Sequence, residues 1–207
     1  MQRICVAGIA TEVGKSVVSM LISKAFDFSY WKPVQSGGLD MSDTLFVNKH
    51  APEVQCIPER HRFSKPVSPH EAAEHDNVSV QLSDFELPES HKPVLVESAG
   101  GVMSPVSLDF TNLQLFEKLN LPLVLVVKNY LGSINHTLLS LSALKSKLNV
   151  VGIIISGERN SASEEAYEKL GGVPILHRLP NIDFSPDSVE KAAADLKKSL
   201  SSTFALL

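Results

Sequence analysis

One segment near the N-terminus limits what this chain can fold into more than any other. A short apolar run over residues 3–7 leads directly into Gly8-Ile9-Ala10-Thr11-Glu12-Val13-Gly14-Lys15-Ser16. The next stretch, 15–26, carries Val17, Val18, Leu21, Ile22 and Ala25 near helical spacing. A strand that turns through glycines straight into a helix leaves the first helical N–H groups without intrahelical partners. Those groups, with the positive end of the helix dipole, favour phosphate oxygens. The Gly-Lys-Ser ending adds an ammonium for the β/γ-phosphates and a hydroxyl for Mg²⁺. The segment therefore reads as a phosphate-binding loop for a nucleoside triphosphate with Mg²⁺. Glu12, Val13, Gly14, Lys15, Ser16 and Val17 are its nucleotide-contacting positions. Gly8 stands one residue earlier than the strict spacing of such loops, which places Ile9 where a glycine is usual.

The rest of the chain continues the alternation. Strands are predicted over 29–32, 94–97, 123–127, 150–155 and 173–176, and helices over 111–119, 133–148, 163–170 and 187–200. The strands are continuously apolar, which indicates a sheet covered on both faces. Strand–helix alternation then predicts an α/β chain: a mostly parallel central sheet flanked by helices on both faces, in a P-loop NTPase-like three-layer architecture. Residues 1–207 are read as one domain, with 39–92 an irregular insertion holding short helices. The residues from Ser199 onward are expected to fray.

Composition narrows the function classes. A formal net charge of −4 without a basic tail predicts neither nucleic acid nor membrane as a partner. The longest apolar runs are far shorter than a bilayer span. The N-terminus enters a strand pattern without a leader-like apolar region, and the two cysteines, Cys5 and Cys56, have no context demanding a disulfide. A cytoplasmic location is the expectation. The seven histidines show no metal-ligand spacing, and no nucleophile elbow is present.

Four further places carry chemistry. Glu97 ends an apolar strand and precedes Ser98-Ala99-Gly100-Gly101, which suits a Mg²⁺ carboxylate at the edge where parallel sheets bind ligands; a solvated strand-end glutamate is the plainer alternative. Lys32, closing the second strand before Pro33, suits stabilisation of a transferring phosphoryl group, or is a surface lysine. Asp43 opens a helical stretch and alone would be a helix-start acid. Leu131-Gly132-Ser133-Ile134-Asn135 opens another helix, either as a second anion site or simply capped by Ser133.

Taken in order, these pieces resemble the dethiobiotin synthetase family. The carrying residues are Thr11 to Ser16, Lys32-Pro33-Val34-Gln35-Ser36-Gly37, Ser42-Asp43, Ser68-Pro69-His70, Val96 to Gly101 and Leu131 to His136. The resemblance implies an ATP-dependent cyclo-ligase of biotin biosynthesis that joins 7,8-diaminononanoate and CO₂. It implies Lys15, Lys32 and Thr11 as catalytic residues, and Ser16, Asp43 and Glu97 as Mg²⁺ positions. Thr11, Glu12, Lys32 and Ser36 would line the diamine and carbamate. It also implies a homodimer whose substrate site crosses the interface. There Gly132, Ser133, Ile134 and Asn135, with Tyr167, would receive the substrate carboxylate, and Leu131 would line the substrate chain. Ser156 and Pro180 match positions beside the base, but the run Gly152 to Gly157 lacks the asparagine with which members commonly read adenine. Related P-loop amidotransferases normally carry an added glutaminase domain. Partition or positioning ATPases usually carry a lysine early in the loop, where this chain has Ile9, Ala10 and Thr11. A nucleotide-binding module without turnover is the remaining alternative.

Overall fold

A computed structural model describes residues 2–206. The first strand, β1 (Arg3–Gly8), enters the phosphate loop, and α1 (Lys15–Phe26) follows. β2 (Ser29–Trp31) and β3 (Val34–Ser36) are separated by Pro33, which lacks the N–H a continuous ladder would need. Then come α2 (Asp43–His50), β4 (Cys56–Ile57), β5 (His61–Phe63) and α3 (Pro69–His75). The remainder alternates: β6 (Val94–Gly101), α4 (Asn112–Leu119), β7 (Leu123–Lys128), α5 (Ser133–Lys145), β8 (Val150–Ser156), α6 (Ser161–Gly171), β9 (Ile175–Leu179) and α7 (Pro186–Phe204).

Seven strands form one sheet in the order β4-β2-β6-β1-β7-β8-β9, every pair parallel. The central strands are apolar along their whole length: Val124 to Val127 and Ile153 to Ile155 are all buried. Helices on both faces cover them, so no alternation with polar residues is needed. Chain order reverses beside β1, because the path from β1 goes outward to β2 and β4 and returns through β6 to β7. Ligands of open α/β sheets sit at such a reversal, outside the C-terminal strand ends. Among the described residues, no helix is long and apolar enough to cross a membrane.

The structure departs from the sequence expectation in several places. β6 runs on to Gly101, so Glu97 sits within the strand and does not end it. The segment 39–92 contains strands as well as helices: β4 adds an edge to the main sheet, and β5 pairs with β3 in a separate two-stranded sheet. Strands of two and three residues are too short to show a period. The last strand runs over Ile175–Leu179, later than 173–176, because Gly172 ends α6 in a left-handed conformation at φ 64° and Pro174 intervenes. Finally, the C-terminal residues do not fray after Ser199. α7 continues to Phe204, with Leu196, Leu200 and Phe204 buried at successive four-residue steps. The Phe204 ring lies 4.8 Å from Phe26 and 6.3 Å from Phe28, and its carbonyl accepts from the Gln2 amide at 2.7 Å.

Phe204→Ala is therefore expected to cost about 3–5 kcal/mol as the aromatic contacts are replaced by a cavity. For a chain of this size that lowers the melting temperature by roughly 10 °C. Differential scanning calorimetry checks it, and an unchanged midpoint would return the C-terminus to a frayed end.

Candidate functional site

The phosphate loop closes tightly. A side chain at Gly8 would place its Cβ 2.8 Å from the Val13 Cγ2 and 2.9 Å from the Lys15 Cδ. This is why the early glycine sits at position 8: the Lys15 stem folds back across the end of β1. The Lys15 Nζ donates to the Ala10 carbonyl at 2.8 Å. Burial pulls its pKa down to about 8, with the Lys32 charge adding to the shift and Glu97 and Asp43 opposing it. Glu12 takes a left-handed backbone at φ 56° at the turn's tip, exposed beside Thr11.

Three more elements aim side chains at the start of α1. Glu97 lies on β6 and is fully buried. Its Oε1 accepts from the Ser16 hydroxyl at 2.8 Å. Asp43 is the first residue of α2, whose start is capped by Ser42 Oγ accepting from the Leu45 N–H at 3.3 Å. That cap turns the Asp43 carboxylate inward, where it accepts from both Ser16 and Lys32. Lys32, one residue past β2, has its Nζ 3.7 Å from Glu97 Oε1. The plainer alternatives for Lys32 and Glu97 fail on this geometry, while that for Asp43 holds alongside its place in the site. Lys32 is only 6% exposed, Glu97 is 0% exposed, and Asp43 is engaged with its neighbours as well as starting its helix.

The charges within this group are coupled. Burial raises the pKa of Glu97 despite the opposing pull of Lys32. Burial also works to lower that of Lys32, but Glu97 and Asp43 outweigh it and the ammonium is held above its usual value. Burial works to raise Asp43, yet the charge and hydrogen bond of Lys32 bring it below the ordinary carboxylate range. The result is a cation locked between two carboxylates beneath a phosphate loop.

These residues line one cleft of about 860 Å³. Thr11, Glu12, Gly14, Lys15, Ser16, Val17, Lys32, Ser36, Asp43 and Glu97, all expected from sequence, belong to it. Val13 is buried beneath the loop. Ser156 packs on the loop's other side, since a Cβ on Gly14 would come within 2.5 Å of its Oγ. Pro180 follows β9 directly and is exposed. Leu131, Gly132, Ser133, Ile134, Asn135 and Tyr167 lie outside this cleft. Ser133 is not the cap of α5: Gly132 is, and no side chain caps it. Ser133 Oγ instead hydrogen-bonds the Tyr167 hydroxyl at 2.7 Å. Tyr167 is fully buried and also donates to Asn129 Oδ1 at 2.8 Å. It braces the start of α5 from within.

Sequence reasoning missed several walls of the cleft: Met41, Phe46, Pro66 and Ser104. They come from the irregular segment and the loop after β6, where no motif marks them. It also missed Tyr30, whose hydroxyl donates to Glu97 Oε2 at 3.0 Å. Period-two spacing from Lys32 would have placed Tyr30 on the same face of the sheet.

The donor set around Ser16 is all oxygen, one hydroxyl and two carboxylates, which suits a hard cation such as Mg²⁺ and not a soft metal. Among the described residues no group of three or more His, Cys, Asp or Glu forms a metal cage. A cation here would share its coordination with phosphate oxygens, as Mg²⁺ does at nucleotide sites.

Comparison with known proteins is consistent with this geometry. An AAA-domain family model matches residues 2–186. An ATP-dependent dethiobiotin synthetase from Christiangramia forsetii is 39% identical over 193 residues, covering 92% of this chain and 93% of the relative. One from Chlamydia felis is 40% identical over 178 residues, covering 86% and 85%. The chain belongs to the ATP-dependent dethiobiotin synthetase family. The fold of this family member is also that of a ParA-family ATPase from Chlorobium tepidum, with a TM-score of 0.58 at 15% identity over 97% of this chain and 92% of the other. At that identity the likeness speaks for the architecture alone.

Proposed function

We propose that the chain is a dethiobiotin synthetase of biotin biosynthesis that converts 7,8-diaminononanoate, CO₂ and ATP into dethiobiotin, ADP and phosphate. The observation that carries this reading is the meeting of Lys15, Ser16, Lys32, Asp43 and Glu97 in one cleft, in a chain whose relatives bear that name.

One substrate amine adds to CO₂ and loses a proton, giving a carbamate. The carbamate oxygen attacks the γ-phosphorus of ATP and ADP leaves. The resulting carbamic-phosphoric anhydride is closed by the second amine, whose nitrogen attacks the carbonyl carbon as phosphate departs. Little covalent work falls to the protein in such a transfer, so alignment and charge stabilisation dominate. Lys15 and Lys32 neutralise charge on the phosphoryl oxygens. Ser16, Asp43 and Glu97 would hold Mg²⁺, which supplies a Lewis acid for those oxygens. Thr11, Glu12 and Ser36 line the diamine and carbamate. Gly132, Ser133, Ile134 and Asn135 of the partner subunit receive the substrate carboxylate across a homodimer interface, with Leu131 lining the substrate chain and Tyr167 bracing that helix start. Support for that interface comes from Leu131, Leu139 and Met103, exposed apolar side chains at 104%, 62% and 58%.

The test is a phosphate-release assay with purified protein, bicarbonate, MgATP and the diamine. Release is expected to require the diamine and to match dethiobiotin formed one for one. Phosphate release indifferent to the diamine would sink the proposal.

A further inference from the structure

The mechanism above leaves one buried titratable group unused. Tyr30 lies in β2 opposite Leu95 of β6, and Glu97 is two residues further along β6. Register partners share a face of the sheet and side chains alternate with a period of two, so Tyr30 and Glu97 are diagonal neighbours on the α1 side. A phenol can span that diagonal. It does so: the Tyr30 hydroxyl donates to Glu97 Oε2 at 3.0 Å, while Oε1 faces Ser16 at 2.8 Å. Both residues are fully buried.

We propose that Tyr30 is a positioning residue for the cation site, holding Glu97 from behind so that the carboxylate meets a divalent cation through Oε1 alone. This rests on reading Ser16, Asp43 and Glu97 as the cation's residues. The two carboxylate oxygens are separated in role. Oε2 is turned to the sheet interior and satisfied there, and Oε1 is turned to the cleft. The phenol hydroxyl is the donor that satisfies Oε2. Without that donor, Oε2 would be a buried anionic oxygen lacking a partner, and the carboxylate would be free to rotate. The consequence is selectivity. Ca²⁺ commonly takes a carboxylate through both oxygens, whereas Mg²⁺ takes one oxygen in a tight octahedron. With Oε2 engaged by Tyr30, Glu97 presents the single oxygen that Mg²⁺ accepts.

Tyr30→Phe keeps the ring and removes one hydroxyl. The measurement is the Kd of a non-hydrolysable ATP analogue at graded free Mg²⁺ or Ca²⁺. The variant is expected to need about 10-fold more Mg²⁺ for the same affinity, within the range for outer-shell partners of metal ligands. Its Ca²⁺ requirement should stay level or fall, so that the preference for Mg²⁺ shrinks. An unchanged Mg²⁺ requirement, or equal weakening toward both cations, would overturn the role of Tyr30 alone. Wild-type affinity that ignores Mg²⁺ would overturn the cation site beneath it. A second measurement needs no folded variant at position 30. The wild type labelled at tyrosine Cζ has three tyrosines, of which Tyr130 and Tyr167 can be assigned by replacing each with Phe. The remaining resonance is expected to move when Mg²⁺ joins the bound analogue, and a resonance that stays put would equally overturn the proposal.

Discussion

Lys32→Ala is expected to lower kcat about 10²–10³-fold, the scale for removing one preorganised charge stabiliser from a water-poor site. The structure supplies the reason for so large an effect. The ammonium is only 6% exposed and is held by Asp43 and Glu97 at the mouth of the phosphate loop. It needs no reorganisation to meet charge developing on a transferred phosphoryl group. Truncation has a second effect: Glu97, whose pKa burial already raises, loses the strongest influence keeping it ionised. Breaking a buried pair from one side commonly costs about 3–5 kcal/mol. The partial exposure of Asp43 places Lys32→Ala toward the lower end of that range. The two effects separate experimentally. Lys32→Met keeps the apolar stem and should match Ala in kcat. Added ethylamine should restore part of the rate in Ala, where the cavity can admit it, and not in Met. An unchanged kcat in Lys32→Ala would remove Lys32 from the reaction.

How far the fold could be read in advance depended on period and length. The central strands announced themselves because a strand buried on both faces is apolar throughout, as at Val124 to Val127. The phosphate loop and α1 were legible because a glycine turn between strand and helix has few other uses. β3, β4 and β5 were not, since two or three residues cannot show alternation and their pairing is decided by distant partners such as Phe63 for Ser36. The C-terminal turn of α7 was legible and overlooked. Leu196, Leu200 and Phe204 keep helical spacing to the end, and their burial follows from it.

The site divides along the same line. Lys15 and Ser16 open a helix after a glycine turn, and Glu97 closes an apolar run inside β6, so the sequence marks each of their places. Asp43 had no such marker beyond a helix start, and its inward turn is set by the Ser42 cap and by salt-bridging to Lys32. For Tyr167 the sequence marked only the region. Its hydroxyl hydrogen-bonds Ser133 and Asn129 inside the protomer. Such hydrogen-bond partners come from other elements, at sequence distances of 34 and 38 residues, and no local pattern anticipates them.

Gly14→Ala is expected to weaken nucleotide binding about 100-fold while leaving the chain folded. Gly14 caps α1 at φ 92° and ψ 19°, a conformation that costs any L side chain on the order of 1–3 kcal/mol. Space is lacking as well: the new Cβ would lie 2.5 Å from Ser156 Oγ and 3.0 Å from its Cβ. The loop must then shift or flatten, and its N–H groups lose their common aim at the phosphates. Strain and crowding can be told apart with a second substitution. Ser156→Ala removes the nearer obstacle and leaves the backbone angle untouched. Gly14→Ala combined with Ser156→Ala should recover about 10-fold of the lost affinity, the remainder being the left-handed backbone. Calorimetric titration of an ATP analogue into the three variants reads this directly. Full recovery in the double variant would mean that crowding by Ser156 alone explains the loss. Wild-type affinity in Gly14→Ala would mean that the loop does not hold the phosphates in the geometry its sequence prescribes.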